Sequence, residues 1–222
     1  MAARPDKVKP GGITTPTRSL LRMYVSVIGI LGIGILVLLS DRPGQPATSP
    51  LAQTKSVPAA VLPRVFYSRF NVPTLTLADG RTKPILSMLN ITRKMKFGEY
   101  VWNDKGIKDG DTWIMVDLSG QTMSVFRGRH EIGSAPVLYG ADNKPTPLGV
   151  FPVLQKAQAH RSNLYDAEMP YMLRLSWDGV AIHASDVQNG QATHGCIGVP
   201  PAFARLIFDH IRVGDLVSVT KA

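Results

Sequence analysis

The 222-residue chain has one cysteine, so it cannot form a disulfide with itself. It is short of acids, with 16 Asp and Glu against 25 Lys and Arg and a formal net charge of +9. Such an excess suits an anionic polymer or a membrane surface. It does not suit nucleic acid here, because the basic residues are not clustered and aromatic residues make up only 7% of the chain. There is no internal repeat, which excludes a solenoid.

What the sequence does have begins at the N-terminus. Residues 1–22 carry Arg4, Lys7, Lys9, Arg18 and Arg22 against Asp6 alone, and MYVSVIGILGIGILVLLS follows with no charge (residues 23–40). As a helix those 18 residues would span about 27 Å, enough for a bilayer core. The positive flank predicts a cytoplasmic N-terminus with the rest of the chain exported. The apolar run is longer than the usual core of a cleaved signal, and DRPGQPATSP after it has no A-x-A site, so an uncleaved single-pass anchor is expected. Residues 41–63 hold Pro43, Pro46, Pro50, Pro58 and Pro63 among small polar residues, the composition of an extended tether. The remainder suits one globular domain.

From Trp113 the pattern is mainly β. WIMVDL alternates Ile114, Val116 and Leu118 with Trp113, Met115 and Asp117, and TMSVF, EIGSAPVLYG, GVFPVLQ, MLRLSW and GVAIHA follow as further strands. Leu173, Leu175 and Trp177 recur with period two, and Asp178-Gly179 predicts a tight hairpin turn after them. PPAFARLIFDHI predicts a helix, with Pro201 in the first turn and Phe203, Leu206, Ile207 and Ile211 on one stripe. LVSVT is the last strand. Residues 64–110 are less legible, and MLNITRKMKFGEYVW is expected to hold a helix before an irregular segment.

The cysteine lies in ATHGCIGVP (residues 192–200), where Cys196 directly follows His194-Gly195. It can be an inert core thiol, an intermolecular bridge, a zinc ligand with His183 and His194, or a nucleophile. A nucleophile needs a base, and His183 closes VAIHA eleven residues before His194. A hairpin-like excursion through DVQNGQATHGC would return Cys196 to the side of His183, and Gly195 permits a bend that aims successive N–H groups into one cavity, as in an oxyanion hole. These residue types are those of a thiol acyltransferase or hydrolase. Pairing with imidazole would lower the thiol pKa below its free value of about 8.5. His130, His160 and His210 have no evident role, although QAHRSNLYD around His160 is a candidate cover for a substrate.

VAIHASDVQNGQATHGCIGVP, preceded by KPTPLGVF, resembles the L,D-transpeptidase catalytic domain, or YkuD domain. The family signature is a histidine, a variable spacer, then Ser/Thr-His-Gly-Cys and an apolar residue, met here by His183, Thr193, His194, Gly195, Cys196 and Ile197. The stretch Thr146-Pro147-Leu148-Gly149-Val150-Phe151 is similar to the start of a family strand, and PPAFARLI to the helix after the family's cysteine. The resemblance implies Cys196 as nucleophile, His183 as its base oriented by the Ala184 carbonyl, an oxyanion hole from the Gly195 and Cys196 N–H groups, and His194 shaping the site. Two features depart from the pattern. The spacer before His194 is shorter than in many members, and Gly198 stands where members often carry Arg or Asn.

The expected fold is therefore a mainly β, antiparallel sandwich-like YkuD domain (residues 111–222) with one or two helices. An extension (64–110), a linker (41–63), a transmembrane helix (23–40) and a basic tail (1–22) precede it. The resemblance, together with the anchor read from the N-terminal residues, implies a membrane-anchored, periplasmic L,D-transpeptidase acting on peptidoglycan stem peptides through a thioester. A hydrolase on the same fold and a silent wall-binding module are the alternatives. Thr193, Tyr171 and Gly198 are the candidate substrate-facing positions, and neither metal nor cofactor is expected.

Overall fold

The structure, a computed structural model, describes residues 63–141, 143–163 and 165–221. The basic tail, the apolar segment and nearly all of the tether fall outside these residues. Among the described residues no helix is long and apolar enough to cross a membrane.

Six strands come first: β1 (Arg64–Phe66), β2 (Thr74–Thr76), β3 (Thr82–Pro84), β4 (Ser87–Leu89), β5 (Val101–Trp102) and β6 (Thr112–Asp117). The middle of the chain adds β7 (Thr122–Arg127), β8 (His130–Pro136), β9 (Gly149–Pro152) and β10 (Gln155–Ala157). The last part holds β11 (Met172–Arg174), β12 (Ala181–Ala184), β13 (Ile197–Val199), α1 (Pro201–His210) and β14 (Leu216–Thr220). The large sheet runs β1-β4-β8-β7-β6-β14-β9 with β5 on β8, and the small sheet runs β10-β11-β12-β13. The short pair β2-β3 stands apart.

Alternation explains the layers. On β6, Ile114 and Val116 face the main core, shared with Leu173 and Ile182 of the small sheet and with Phe203 and Ile207 of α1. Trp113 points the other way and stacks on Phe126 with ring centroids 4.2 Å apart. Leu77 and Ile85 from the extension pack against that pair and bury both rings. Burial of a side chain of Phe size contributes about 1.5–3 kcal/mol. The extension is thus the outer cover of the large sheet, and β1, β4 and β5 continue its ladder beyond β8.

The sheets are mainly antiparallel, as expected, with β4/β8, β6/β14 and β12/β13 paired in parallel. Three expectations change. MLNITRKMKFGEYVW contains no helix and instead supplies β4 and β5. The β11/β12 hairpin does not turn tightly at Asp178-Gly179. Leu175 donates its N–H to the Val180 carbonyl at 2.8 Å, so the loop is Ser176 to Gly179, with Gly179 at φ +104°. Trp177 consequently leaves the period-two row for the loop tip, where it is 81% exposed, while Leu173 and Leu175 stay buried. Finally, parallel pairing of β12 with β13 makes residues 185–196 a crossover rather than a hairpin, as the strand directions require.

Candidate active site

The small sheet presents its outer face to a cavity of about 670 Å³. Ile182 pairs with Ile197 and His183 with Gly198, so Cys196 stands beside Ala181 and one step diagonally from His183. Ile182 and Ile197 are buried in the core, so the alternate positions Ala181, His183 and Cys196 face the other way, into the cavity that all three line.

A clamp sets the position of Cys196. Thr193 donates its N–H to the Tyr139 carbonyl at 2.9 Å and accepts the Ala141 N–H at 3.2 Å, while its hydroxyl donates to the Cys196 carbonyl at 2.5 Å. The buried Thr146 hydroxyl accepts the Gly140 N–H and donates to the Gly195 carbonyl, both at 2.9 Å. A Cβ at Gly140 would sit 2.1 Å from the Lys144 carbonyl oxygen and 2.8 Å from the Gly195 Cα, so this crossing admits only glycine. Gly195 itself takes φ +106°. No hydrogen bond among the described residues takes up the N–H of Gly195 or of Cys196.

His183 Nδ1 lies 2.8 Å from the Ala184 carbonyl oxygen, which assigns the proton to Nδ1 and leaves the lone pair on Nε2. Burial pushes the imidazole pKa down, with the Ala184 contact opposing, so the ring is neutral at neutral pH. The Cys196 thiol donates to the Gly179 carbonyl at 3.7 Å rather than to imidazole. Burial pushes the thiol pKa up, against the Ala181 N–H and the Arg174 charge, with Asp178 reinforcing the rise. The lowered thiol pKa expected from the sequence is therefore not what this arrangement gives. The site holds a neutral thiol beside a neutral imidazole.

The other sequence candidates divide. Thr193, His194 and Gly195 line the cavity. The His194 ring stacks on Tyr165 at 4.5 Å, joining the cysteine loop to the segment around His160, which lines the cavity through His160, Ser162, Asn163, Tyr165 and Ala167. Tyr171, proposed from sequence as substrate-facing, packs edge-on against Phe208 at 5.7 Å and is not part of the lining. Gly198 is also outside the lining; a Cβ there would lie 2.9 Å from the Ser185 Cβ, so no larger side chain fits. Trp177 lines the cavity, and so do Arg174, Asp178 and Lys144, which the sequence did not mark for it; Thr146 lies in a family-like stretch whose clamping role the sequence did not show. Arg174 was open to discovery, because it alternates with Leu173 and Leu175 and so had to face away from the core. Among the described residues, no group of three or more His, Cys, Asp or Glu is placed to hold a metal.

A thiol, a neutral imidazole with one uncommitted nitrogen and two unengaged main-chain N–H groups therefore meet at one cavity. These are the parts that acyl transfer through a thiol uses. Residues 111–219 match the L,D-transpeptidase catalytic domain family, YkuD, and this part of the chain belongs to it. The chain is 29% identical over 133 residues to L,D-transpeptidase 1 of Mycobacterium tuberculosis, covering 52% of this chain and 53% of that protein. It is 26% identical over 107 residues to L,D-transpeptidase 2 of the same organism, covering 40% and 26%. Across these curated relatives the chain spans about half of the first and about a quarter of the second. A solved L,D-transpeptidase structure from Stackebrandtia nassauensis aligns at 22% identity with a TM-score of 0.47, covering 51% of this chain and 57% of that one.

Proposed function

We propose that the protein is a membrane-anchored L,D-transpeptidase whose catalytic domain works in the periplasm on peptidoglycan stem peptides. The observation that carries the chemistry is the placement of Cys196 and His183 on one face of two adjacent strands, with no hydrogen bond among the described residues to Nε2 of His183. Family membership supplies the substrate class, and the basic tail followed by 18 uncharged residues supplies the anchor.

In the first half-reaction the thiol turns from the Gly179 carbonyl towards His183, whose Nε2 takes its proton. The sulfur attacks the carbonyl between the L-centre of a third-position diamino acid and the D-residue at position four. The Gly195 and Cys196 N–H groups bind the oxyanion. As the tetrahedral species collapses, His183 returns the proton to the leaving amine, the C–N bond breaks, and a thioester to Cys196 remains. In the second half-reaction His183 deprotonates an acceptor amine, which displaces the thiol and forms a new amide. The resting pKa directions fit this sequence, because a neutral imidazole can accept the thiol proton when substrate arrives.

Incubating the purified full chain with disaccharide-tetrapeptide and following the products by mass spectrometry tests the proposal. The expected products are the free D-residue and dimers joined between two third-position residues. Shortened monomers alone would make the protein a hydrolase. Fragments retained at unchanged mass by folded protein would make it a binding module.

A further inference from the structure

A row of side chains crosses the cavity face of the small sheet beside the thiol. Arg174 pairs with Ala181, and the β12/β13 register sets Ala181 beside Cys196, so the three share one face. Their neighbours Leu173, Ile182 and Ile197 are buried on the opposite face. At about 4.8 Å per strand, the Arg174 and Cys196 backbones lie about 10 Å apart. Arg174 lines the cavity, yet its Nε is buried and has no hydrogen-bond partner among the described residues.

A buried guanidinium N–H without an acceptor is costly, and in a protein that satisfies most of its buried polar groups it calls for an explanation. Among the described residues Asp178 is the only carboxylate in the cavity lining, and it already accepts the Ser176 hydroxyl. Lys144 adds a second cation to the same lining. The fixed fork of a guanidinium is the geometric complement of a carboxylate. We propose that Arg174 docks a carboxylate of the acyl donor, placed about one residue from the carbonyl that Cys196 attacks. The spacing sets that limit, since an extended chain advances about 3.3 Å per residue and the arginine side chain spans much of the remaining distance. The inference rests on the transpeptidase reading for the identity of the donor. Two carboxylates meet the spacing, the terminal one of the departing D-residue and a side-chain one on the diamino acid.

Calorimetric binding to the full chain carrying Cys196→Ala separates them. The probes are the tetrapeptide, the same peptide amidated at its terminus, and the same peptide amidated on the diamino acid. Amidating the docked carboxylate should weaken binding about 10- to 100-fold, the loss of a charge-assisted hydrogen bond. With Arg174→Gln added, acid and amide should bind alike, and Arg174→Lys should restore part of the preference. A merely structural arginine would weaken all three peptides together. An acid preference that survives Arg174→Gln, no preference for either carboxylate, or no binding at all would overturn the proposal. Turnover by the unsubstituted chain reports separately: cross-linked dimers without an Arg174-dependent preference would sink the docking role and leave the transpeptidase reading standing.

Discussion

Two polar clusters are buried in this domain, and they are finished in opposite ways. At the seam where the extension joins the large sheet, Glu131 is 2% exposed, and its carboxylate accepts the Leu89 N–H at 2.9 Å and the Ser124 hydroxyl at 2.7 Å. Arg64 beside it donates to the Ser87 hydroxyl and to the carbonyls of Glu131 and Asn103, and the Ser87 hydroxyl meets His130 Nδ1 at 2.8 Å. On the cavity face of the small sheet, Arg174 Nε has no partner among the described residues, the Cys196 thiol has a long contact to the Gly179 carbonyl beside the Ala181 N–H, and no hydrogen bond among those residues takes up His183 Nε2. Unmade hydrogen bonds inside a protein are costly, so a fold tolerates them where a substrate completes them. The seam is satisfied within the fold, and the cavity is where the proposed chemistry would sit.

Substitutions can break that comparison from either side. The largest effect belongs to His183→Ala, which should slow acylation of Cys196 by about 10²–10⁴-fold, the usual contribution of a positioned base, while thermal unfolding changes little. Loss of the folded state in this variant would return His183 to an architectural role. Next is Glu131→Ala, which strands the Ser124 hydroxyl and the Leu89 N–H and removes a negative charge near Arg64. Denaturant titration should show a loss of about 2–4 kcal/mol, with turnover per folded molecule near that of the parent. A lower turnover at full folding would mean that the seam reaches the cavity. Thr146→Val should cost about 1–2 kcal/mol by emptying the clamp on Gly195, and it should lower kcat more than it raises KM. A pure KM effect would show that the clamp holds substrate rather than the cysteine loop.

The smallest effect is a pH profile. The folded His183 pKa lies below its unfolded value of about 6.5, so the unfolded chain binds more protons in that window, and stability falls as pH drops from about 6.5 towards the folded value. The folded Cys196 pKa lies above the unfolded value of about 8.5, so stability falls as pH rises from there towards the folded value. Denaturation midpoints measured across pH should flatten at both ends in a His183→Gln, Cys196→Ala chain. If the alkaline limb fell instead in the direction of extra stability, the thiol would be held as thiolate at rest.

How much of this was legible in the sequence depended on whether local pattern or long-range pairing decided the matter. Period two placed Ile114 and Val116 in the core and showed β6, β7 and β11. The stripe of Phe203 and Ile207 with Pro201 at the start showed α1. The parallel pairing of β12 with β13 could not be read, because nothing in VAIHA or IGV encodes strand direction, and that pairing is what places His183 diagonal to Cys196. Residues 64–110 were opaque because β4 and β5 are short and make sense only against β8. Cys196, His183 and Gly195 were visible as a motif. Arg174 could be read as facing away from the core, but its place across from Ala181 could not, because a hairpin loop of four residues rather than two sets that register. The raised thiol pKa was likewise invisible, being a matter of burial and of the Gly179 carbonyl.

The claim that the open cavity cluster performs thiol acyl transfer is tested most directly by intact-mass measurement of the full chain during reaction with donor tetrapeptide. The account predicts one adduct on Cys196, with the mass of the donor less its terminal D-residue. It should appear together with the free D-residue, disappear in Cys196→Ala and form slowly in His183→Ala. Release of the D-residue from a folded chain whose Cys196 is never acylated, or whose Cys196→Ala variant works as well, would contradict it.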